Sequence, residues 1–333
     1  MTNNNRAKVS VCIPIYGVEK YIERCARSLF EQTMKEDIEF IFVNDCTKDK
    51  SIEILEQVLS EYPGRKNQVK IIHHEKNKGL VAARKTGLAH ASGDYIIHCD
   101  SDDWVDLNMY ESMYNKAIET DADMVYCDYY ASNSHNNTPV TKTGTCNPKR
   151  LIDELLFQNN NRSLCDKLFK RQVALSAMIN CPDYIIMGED LLRVLQMLNL
   201  CKNIAYIPKP YYFYRLNPTS ITQVRWKRSP LQSLLDIGLL LSDTLKDARH
   251  SEAIKFFQCS VLLCMIKHPE AVLPDEFHNY SSAIGIENIK DSMRFMERQR
   301  KIILAIALKN YKLSCVICRI VLFINSLLKN IKK

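Results

Sequence analysis

The chain has no Gly-x-Gly-x-x-Gly after its first apolar run and no phosphate loop ending in Gly-Lys-Ser/Thr. With nine glycines in 333 residues, neither glycine-built phosphate cradle is present, and dinucleotide and P-loop chemistry lose their main support. Long apolar runs are missing too. The uncharged apolar stretches of the tail, 302–308, 313–318 and 320–328, fall short of the roughly 18 residues that cross a bilayer, so no span is expected. No charged-then-apolar leader precedes "KVSVCIPIYG", and the thirteen cysteines, an odd number, follow no repeated spacing. A disulfide framework is therefore not expected, and a reducing cytosol is the expected compartment. Cys315 and Cys318 form a C-x-x-C, but its apolar surroundings suit a buried helix face rather than a redox or zinc site. The basic tail lacks aromatic interleaving and a nucleic-acid-binding motif, so no nucleic-acid partner is expected.

What is present is an ordinary globular composition, 46% hydrophobic and 25% charged, in a chain long enough for two unequal parts. The net charge of +7 is unevenly held: residues 291–333 carry a net +8, which leaves the remainder close to neutral. "VSVCIPI" (9–15), "IEFIFV" (38–43), "VKIIHH" (69–74) and "DYIIHCD" (94–100) read as strands separated by helix-length crossovers, the rhythm of a parallel sheet with helices on both faces. A helix over 107–119 and a strand "DMVYCDYY" (123–130) extend it, and the Asn-, Thr- and Ser-rich residues 131–150 read as a surface loop or edge excursion. Helices are expected over 150–158 and 189–200, an aromatic, Pro-punctuated stretch over 206–222, and a mainly helical region from Leu231 onward.

Sheets of this kind bind ligands beyond the carboxyl ends of their strands. Tyr16, Asn44 with Asp45, His73 with His74, and Asp100 to Asp103 all fall there. Three carboxylates within four positions of "HCDSDDW" need a compensating positive charge, or must point apart into water. Asp100 and Asp102 can offer oxygens to a hard cation, Mg²⁺ or Mn²⁺, that bridges to phosphate. The same acids could instead cap the helix near 107.

"VSVCIPIYGVEKYIERCARSLFEQT", "IEFIFVNDCTKDKS", "NKGLVAARKTGLAHASGDYIIHCDSDDW" and "MGEDLLRVLQML", in that order, resemble the family-2 glycosyltransferases of the GT-A fold, of the bacterial polysaccharide and cell-surface glycan type. The likeness covers residues 8–130, is weaker over 160–222 and is absent beyond. It implies a GT-A domain over 1–222, with a Rossmann-like, mostly parallel sheet, a nucleotide-binding half over about 8–130 and an acceptor half over about 131–222. A helical C-terminal region, 223–333, would end in a basic amphipathic tail over about 291–333.

The resemblance also implies roles. Asp45 would bond the base of the nucleotide, with Pro14 and Tyr16 as the floor and wall of its pocket. Arg84 would lie near the base or diphosphate. Asp100 and Ser101 would contact the nucleotide-sugar, and Asp102 with Asp100 would hold Mn²⁺ or Mg²⁺. Asp190 in "GED" would be the catalytic base, and Asp103, Glu189, Tyr212, Tyr214 and Arg215 would lie on the acceptor side. The chain departs from the common pattern at Asn44, Cys46 and Lys48, where the family more often has an acid, Gly and Thr. Each of these residues also has a plain structural explanation, such as strand-end packing for Tyr16 or helix-dipole matching for Glu189 and Asp190.

The function implied is transfer of a sugar, with inversion, from a nucleotide-sugar donor of the UDP type to a hydroxyl of a saccharide or lipid-linked acceptor in cell-surface polysaccharide synthesis. Its alternative is an inactive nucleotide-sugar-binding or scaffold protein of the same fold. A D-x-D phosphohydrolase is disfavoured, because its nucleophilic Asp follows the first strand, where Pro14 and Tyr16 stand. The tail, apolar with Lys and Arg at intervals, is expected to lie on an anionic membrane surface at the inner face of the plasma membrane, or else to pack on the protein.

Overall fold

β1 (Val9–Ile15) and β2 (Ile38–Asn44) are rich in β-branched and aromatic residues and are buried on both faces, as strands inside a parallel sheet must be. The computed structural model describes residues 7–142, 144–177, 182–216, 228–286 and 296–331. Between these strands runs α1 (Ile22–Phe30), whose Ile22, Cys25, Ala26, Leu29 and Phe30 recur at helical spacing and close over Val9, Val11, Ile13 and Ile15. α2 (Ser51–Ser60), β3 (Val69–His73), α3 (Leu80–His90) and β4 (Tyr95–His98) continue the alternation. β5 (Trp104–Val105), α4 (Met109–Thr120), β6 (Met124–Ser132), β7 (Asn137–Val140), α5 (Pro148–Leu156), β8 (Lys167–Lys170), α6 (Arg171–Ala177), α7 (Glu189–Leu198) and β9 (Ile204–Arg215) complete this part.

The sheet order is β3-β2-β1-β4-β8-β6-β9-β5, with β7 on β6. From β3 to β4 every pair is parallel. Beyond β4 the directions mix: β8 runs antiparallel to both β4 and β6, β9 parallel to β6, and β5 antiparallel to β9. Strand order reverses between β1 and β4, which makes the carboxyl ends of those two strands the crevice of the fold. Tyr16 follows β1 directly, and Asp100 lies two residues beyond β4.

Two stretches take a form that periodicity left undefined. Residues 131–150 include the edge strand β7 and the start of α5, and the aromatic stretch becomes the strand β9. Pro208 and Pro210 lack ladder donors, and the β6 register shifts beside them so that Asp128 faces Pro210 where Cys127 faced Ile207. The helix near 107 is preceded by Asp106, whose carboxylate accepts the Asn108 N–H at 2.9 Å, so Asp100 to Asp103 are not its caps.

The chain divides into two compact units, Met1–Leu155 with Asn159–Val224, and Leu156–Gln158 with Arg225–Lys333. The second is helical: α8 (Arg228–Thr244), α9 (Ser251–Lys267), α10 (Pro274–Ala283), α11 (Arg298–Lys309) and α12 (Tyr311–Ile331). α9 is its centre, buried along most of its length. Leu304 and Ala307 of α11 and Tyr311, Ser314, Cys315 and Cys318 of α12 are buried within this unit, and the Tyr311 hydroxyl donates to the Met265 carbonyl at 2.9 Å. The C-x-x-C thus lies on an inward helix face. Among the described residues no helix is long and apolar enough to cross a membrane, and every cysteine is free.

Gly93 sets the seam between β1 and β4. A methyl group there would fall 2.7 Å from the Ser10 nitrogen and 2.8 Å from the Val9 carbonyl carbon, so backbone would have to move. Gly93→Ala is expected to cost about 1–3 kcal/mol of unfolding free energy, measured by urea denaturation; an unchanged midpoint would contradict this seam.

Candidate active site

Arg84 is the pivot. It lies one turn into α3, follows the "NKG" turn, and is only 1% exposed. Its Nη2 donates to Asp100 at 2.7 Å, and its Nη1 donates to both Glu189 and Asp190. Three carboxylates from two distant parts of the sequence share one buried guanidinium. Burial works against that charge, but Asp190, Asp100 and Glu189 hold it well above its ordinary value. The acids outnumber the cation, and the Asp190 carboxyl is raised to about 7, by burial first and by neighbouring Glu189, against the lowering effect of Arg84.

Gly188 places these acids. Its φ of +80° is open to glycine at little cost, and it turns the chain so that Glu189 and Asp190 open α7 with the helix dipole behind them. Glu189 is 6% exposed and its second oxygen accepts the Asp190 N–H at 2.8 Å.

The D-x-D loop is held from below and from the side. Ser101 is buried and its hydroxyl donates to the Pro14 carbonyl at 2.7 Å, which ties the loop to β1. Asp103, 2% exposed, accepts from the Tyr212 hydroxyl at 2.5 Å and the Arg215 N–H at 2.7 Å, which ties it to β9. Burial, then Asp102 and Asp100, push the Asp103 carboxyl well above the usual range. Asp102 is tied to neither strand by such a contact among the described residues. Burial and then Asp100 raise its carboxyl to about 6, against the lowering effect of its own backbone N–H and of Arg215. Among the described residues no group of three or more His, Cys, Asp or Glu is arranged to hold a metal. Two carboxylates alone still suit a hard ion of the Mg²⁺ or Mn²⁺ kind, which takes its other ligands from water and phosphate.

Asp45 occupies a separate position beyond β2. Its carboxylate accepts the N–H groups of Lys78 and Gly79, both at 2.8 Å, and contacts His74 Nδ1 at 2.7 Å, while His74 Nε2 reaches the Thr86 hydroxyl at 2.8 Å. Asp45 therefore organises the turn that launches Arg84. His74 stood out in the sequence only as a polar strand end. Tyr16, at the end of β1, is 54% exposed. Of the residues expected on the acceptor side, Tyr212 is 2% exposed and turned to Asp103, whereas Tyr214 and Arg215 are half-buried. The structure thus brings Arg84, Asp100, Glu189 and Asp190 into one cluster, with Asp102 beside it.

The sequence profile of Glycosyl transferase family 2 matches residues 10–191. This chain belongs to that family. Among curated relatives, the uncharacterized glycosyltransferase EpsJ of Bacillus subtilis is 32% identical over 66% of this chain and 64% of its own length. Glycosyltransferase GlyA of Streptococcus pneumoniae is 31% identical over 69% of this chain and 33% of its own length. The chain thus spans about two thirds of EpsJ and one third of GlyA. Among solved structures, residues 1–349 of S. aureus TarS in complex with UDP-GlcNAc align with a TM-score of 0.61 and 16% identity, over 94% of this chain and 91% of that one. The mannosyltransferase PcManGT of Pyrobaculum calidifontis, in complex with GDP-Man and Mn²⁺, aligns with a TM-score of 0.52 and 13% identity, over 94% and 87%. These likenesses establish the GT-A fold of this family-2 chain.

Two outcomes check the site. Arg84→Met leaves the buried Glu189 and the partly buried Asp100 and Asp190 without their cation and is expected to cost about 3–5 kcal/mol of unfolding free energy; a loss below about 1 kcal/mol would contradict the shared ion pair. Cys46, where the family pattern has Gly, sits at φ +58°. Cys46→Gly is therefore expected to stabilise by about 0.5–1 kcal/mol in thermal denaturation, and a destabilised variant would contradict strain at this turn.

Proposed function

We propose that this protein transfers a sugar, with inversion, from a UDP-type nucleotide-sugar to a hydroxyl of a saccharide or lipid-linked acceptor in cell-surface polysaccharide synthesis. The observation that carries this reading is the Arg84 cluster, which gathers the D-x-D acid Asp100 and the helix acid Asp190 at one crevice. The UDP-GlcNAc complex of the similarly folded TarS supports the choice of donor, and GlyA, a relative named as a glycosyltransferase, supports the reaction class.

In this mechanism Asp190 accepts the acceptor hydroxyl's proton while that oxygen bonds the anomeric carbon and the bond from that carbon to the diphosphate breaks. A carboxyl raised to about 7 is matched to this task near neutral pH. Asp45, Pro14 and Tyr16 hold the base end of the donor, Ser101 fixes the loop beneath it, and Asp102 with Asp100 would hold Mn²⁺ or Mg²⁺. When bound, such an ion neutralises charge on the departing diphosphate. Arg84 positions Asp190 and Asp100 with respect to one another, and Glu189 fixes the first turn of α7.

The same reading places the protein on the inner face of the plasma membrane. Leu313, Val316 and Ile320 lie on the outer face of α12, 50–54% exposed, with Lys312 and Arg319 beside them. An apolar stripe flanked by cations suits an anionic leaflet.

Asp190→Asn is expected to retain UDP binding while lowering sugar transfer about 10²–10⁴-fold; wild-type turnover in a UDP-release assay would remove the base assignment. Because the base must be ionised, kcat should rise as pH climbs through about 7. The same raised value means that the folded protein binds this proton more tightly than the unfolded chain. Stability should therefore fall as pH rises from about 4 toward 7, and Asp190→Asn should flatten that slope. Replacing Leu313, Val316 and Ile320 together by Gln should abolish flotation with phosphatidylglycerol vesicles without lowering the melting temperature; unchanged flotation would contradict the membrane face.

A further inference from the structure

Trp104 directly follows the D-x-D-D acids, and its ring forms the middle of a column. Tyr130 stacks on Phe213 at 4.5 Å between centroids, Phe213 on Trp104 at 5.2 Å, and the Arg24 guanidinium lies 3.3 Å from the Trp104 centroid. A sugar cannot use that ring face, because a cation already covers it. A second guanidinium, that of Arg215, stands 5.0 Å from the Trp104 centroid and 4.7 Å from that of Tyr21. Its Nε donates to the Asp102 carbonyl at 2.8 Å, and no carboxylate pairs with its guanidinium among the described residues. Arg24 likewise has no carboxylate or hydrogen-bond partner among them.

Two like charges, each felt by the other, are therefore held over one aromatic platform without an ion-paired acid among the described residues, the Asp102 carboxylate acting on Arg215 only through space. The nearby acids are engaged elsewhere: Glu23 is paired with Arg27, which also takes Glu61 at 2.7 Å, and Glu31 accepts from Tyr62. Arg24 and Trp104 line a groove of about 580 Å³, within the size range of small-ligand sites, that also includes Lys20 and Arg27 and the acids Glu23, Glu31 and Asp106, the last accepting the Asn108 N–H at 2.9 Å. A guanidinium stacked flat on an indole keeps its N–H groups in the plane of its edge, where they suit the bidentate oxygens of a phosphate.

We propose that Arg24 and Arg215, arranged around Trp104, form a subsite for a phosphate group carried by the acceptor. This rests on the transferase reading and narrows its acceptor to a phosphate-bearing class, such as a polyol phosphate or a lipid-linked saccharide phosphate. Arg215 lies against the carbonyl of Asp102, so an acceptor anchored here is held next to the donor's reacting end.

The test uses tryptophan fluorescence of the full chain carrying Trp226→Phe, so that Trp104 is the remaining indole, in EDTA and without donor. sn-Glycerol 3-phosphate should quench Trp104 saturably and glycerol should not, and Arg24→Gln should weaken the response at least tenfold at an unchanged melting temperature. An equal response to glycerol, or an undiminished response in Arg24→Gln, would overturn the subsite. A response to phosphatidylglycerol vesicles without one to the soluble ester would assign the pair to a membrane headgroup and overturn the acceptor assignment. In transfer assays Arg24→Gln should raise KM for a phosphorylated acceptor at least tenfold and leave donor KM unchanged; equal effects on both would contradict the proposal. UDP binding with Mn²⁺, measured separately by calorimetry, tests the transferase reading itself, and its loss would leave the fluorescence result intact.

Discussion

A single buried cation with three carboxylates around it governs this molecule. An unpaired guanidinium cannot be kept 1% exposed, and neither can Glu189 at 6%. Each is tolerable only because of the other. The price of this arrangement is precise geometry: α3 must be launched at the right angle, α7 must begin at the right residue, and β4 must end where it does. Asp45 fixes the first through the N–H groups of Lys78 and Gly79, Gly188 the second, and the close approach of Gly93 to Ser10 the third. The elements that build the crevice are thus bound to one another through the charges they carry into it.

The parallel half of the sheet was legible because period and burial agree there. β1 and β2 are short continuous apolar runs, and α1 carries its buried residues at i, i+3, i+4 and i+7. β9 was not legible as a strand, since two prolines and five aromatics carry no clean alternation. It becomes one by shifting register beside Pro208 and Pro210, a tertiary solution that local sequence does not encode. β8, with Lys167 fully buried against Asp166 at 2.6 Å, was equally hidden, because a buried lysine reads as surface until its partner is known.

The site was legible by residue type rather than by contact. Strand ends and a clustered D-x-D marked the rim, and the ordered motifs singled out Arg84 and Asp190. The compensating charge for the acids was expected to be a metal; for Asp100 the chain itself supplies one in Arg84, sixteen residues earlier, whereas Asp102 has no ion-paired cation among the described residues and feels Arg215 only through space. No spacing rule connects Arg84 to residues 105 and 106 positions away. Nor does any rule mark Arg24, which lies on α1 while its partner ring lies on β5, and whose exposure resembles that of any helix-surface arginine. Cys315 and Cys318 lie on a buried helix face, which their apolar flanks already suggested.

The central claim is energetic coupling between the helix that carries Arg84 and the helix that carries Asp190. A double-mutant cycle on unfolding free energy, combining Arg84→Met with Asp190→Asn, tests it most directly. The account predicts that the second substitution relieves much of the loss caused by the first, with a coupling of about 2–3 kcal/mol. Effects that add to within about 0.5 kcal/mol would contradict it.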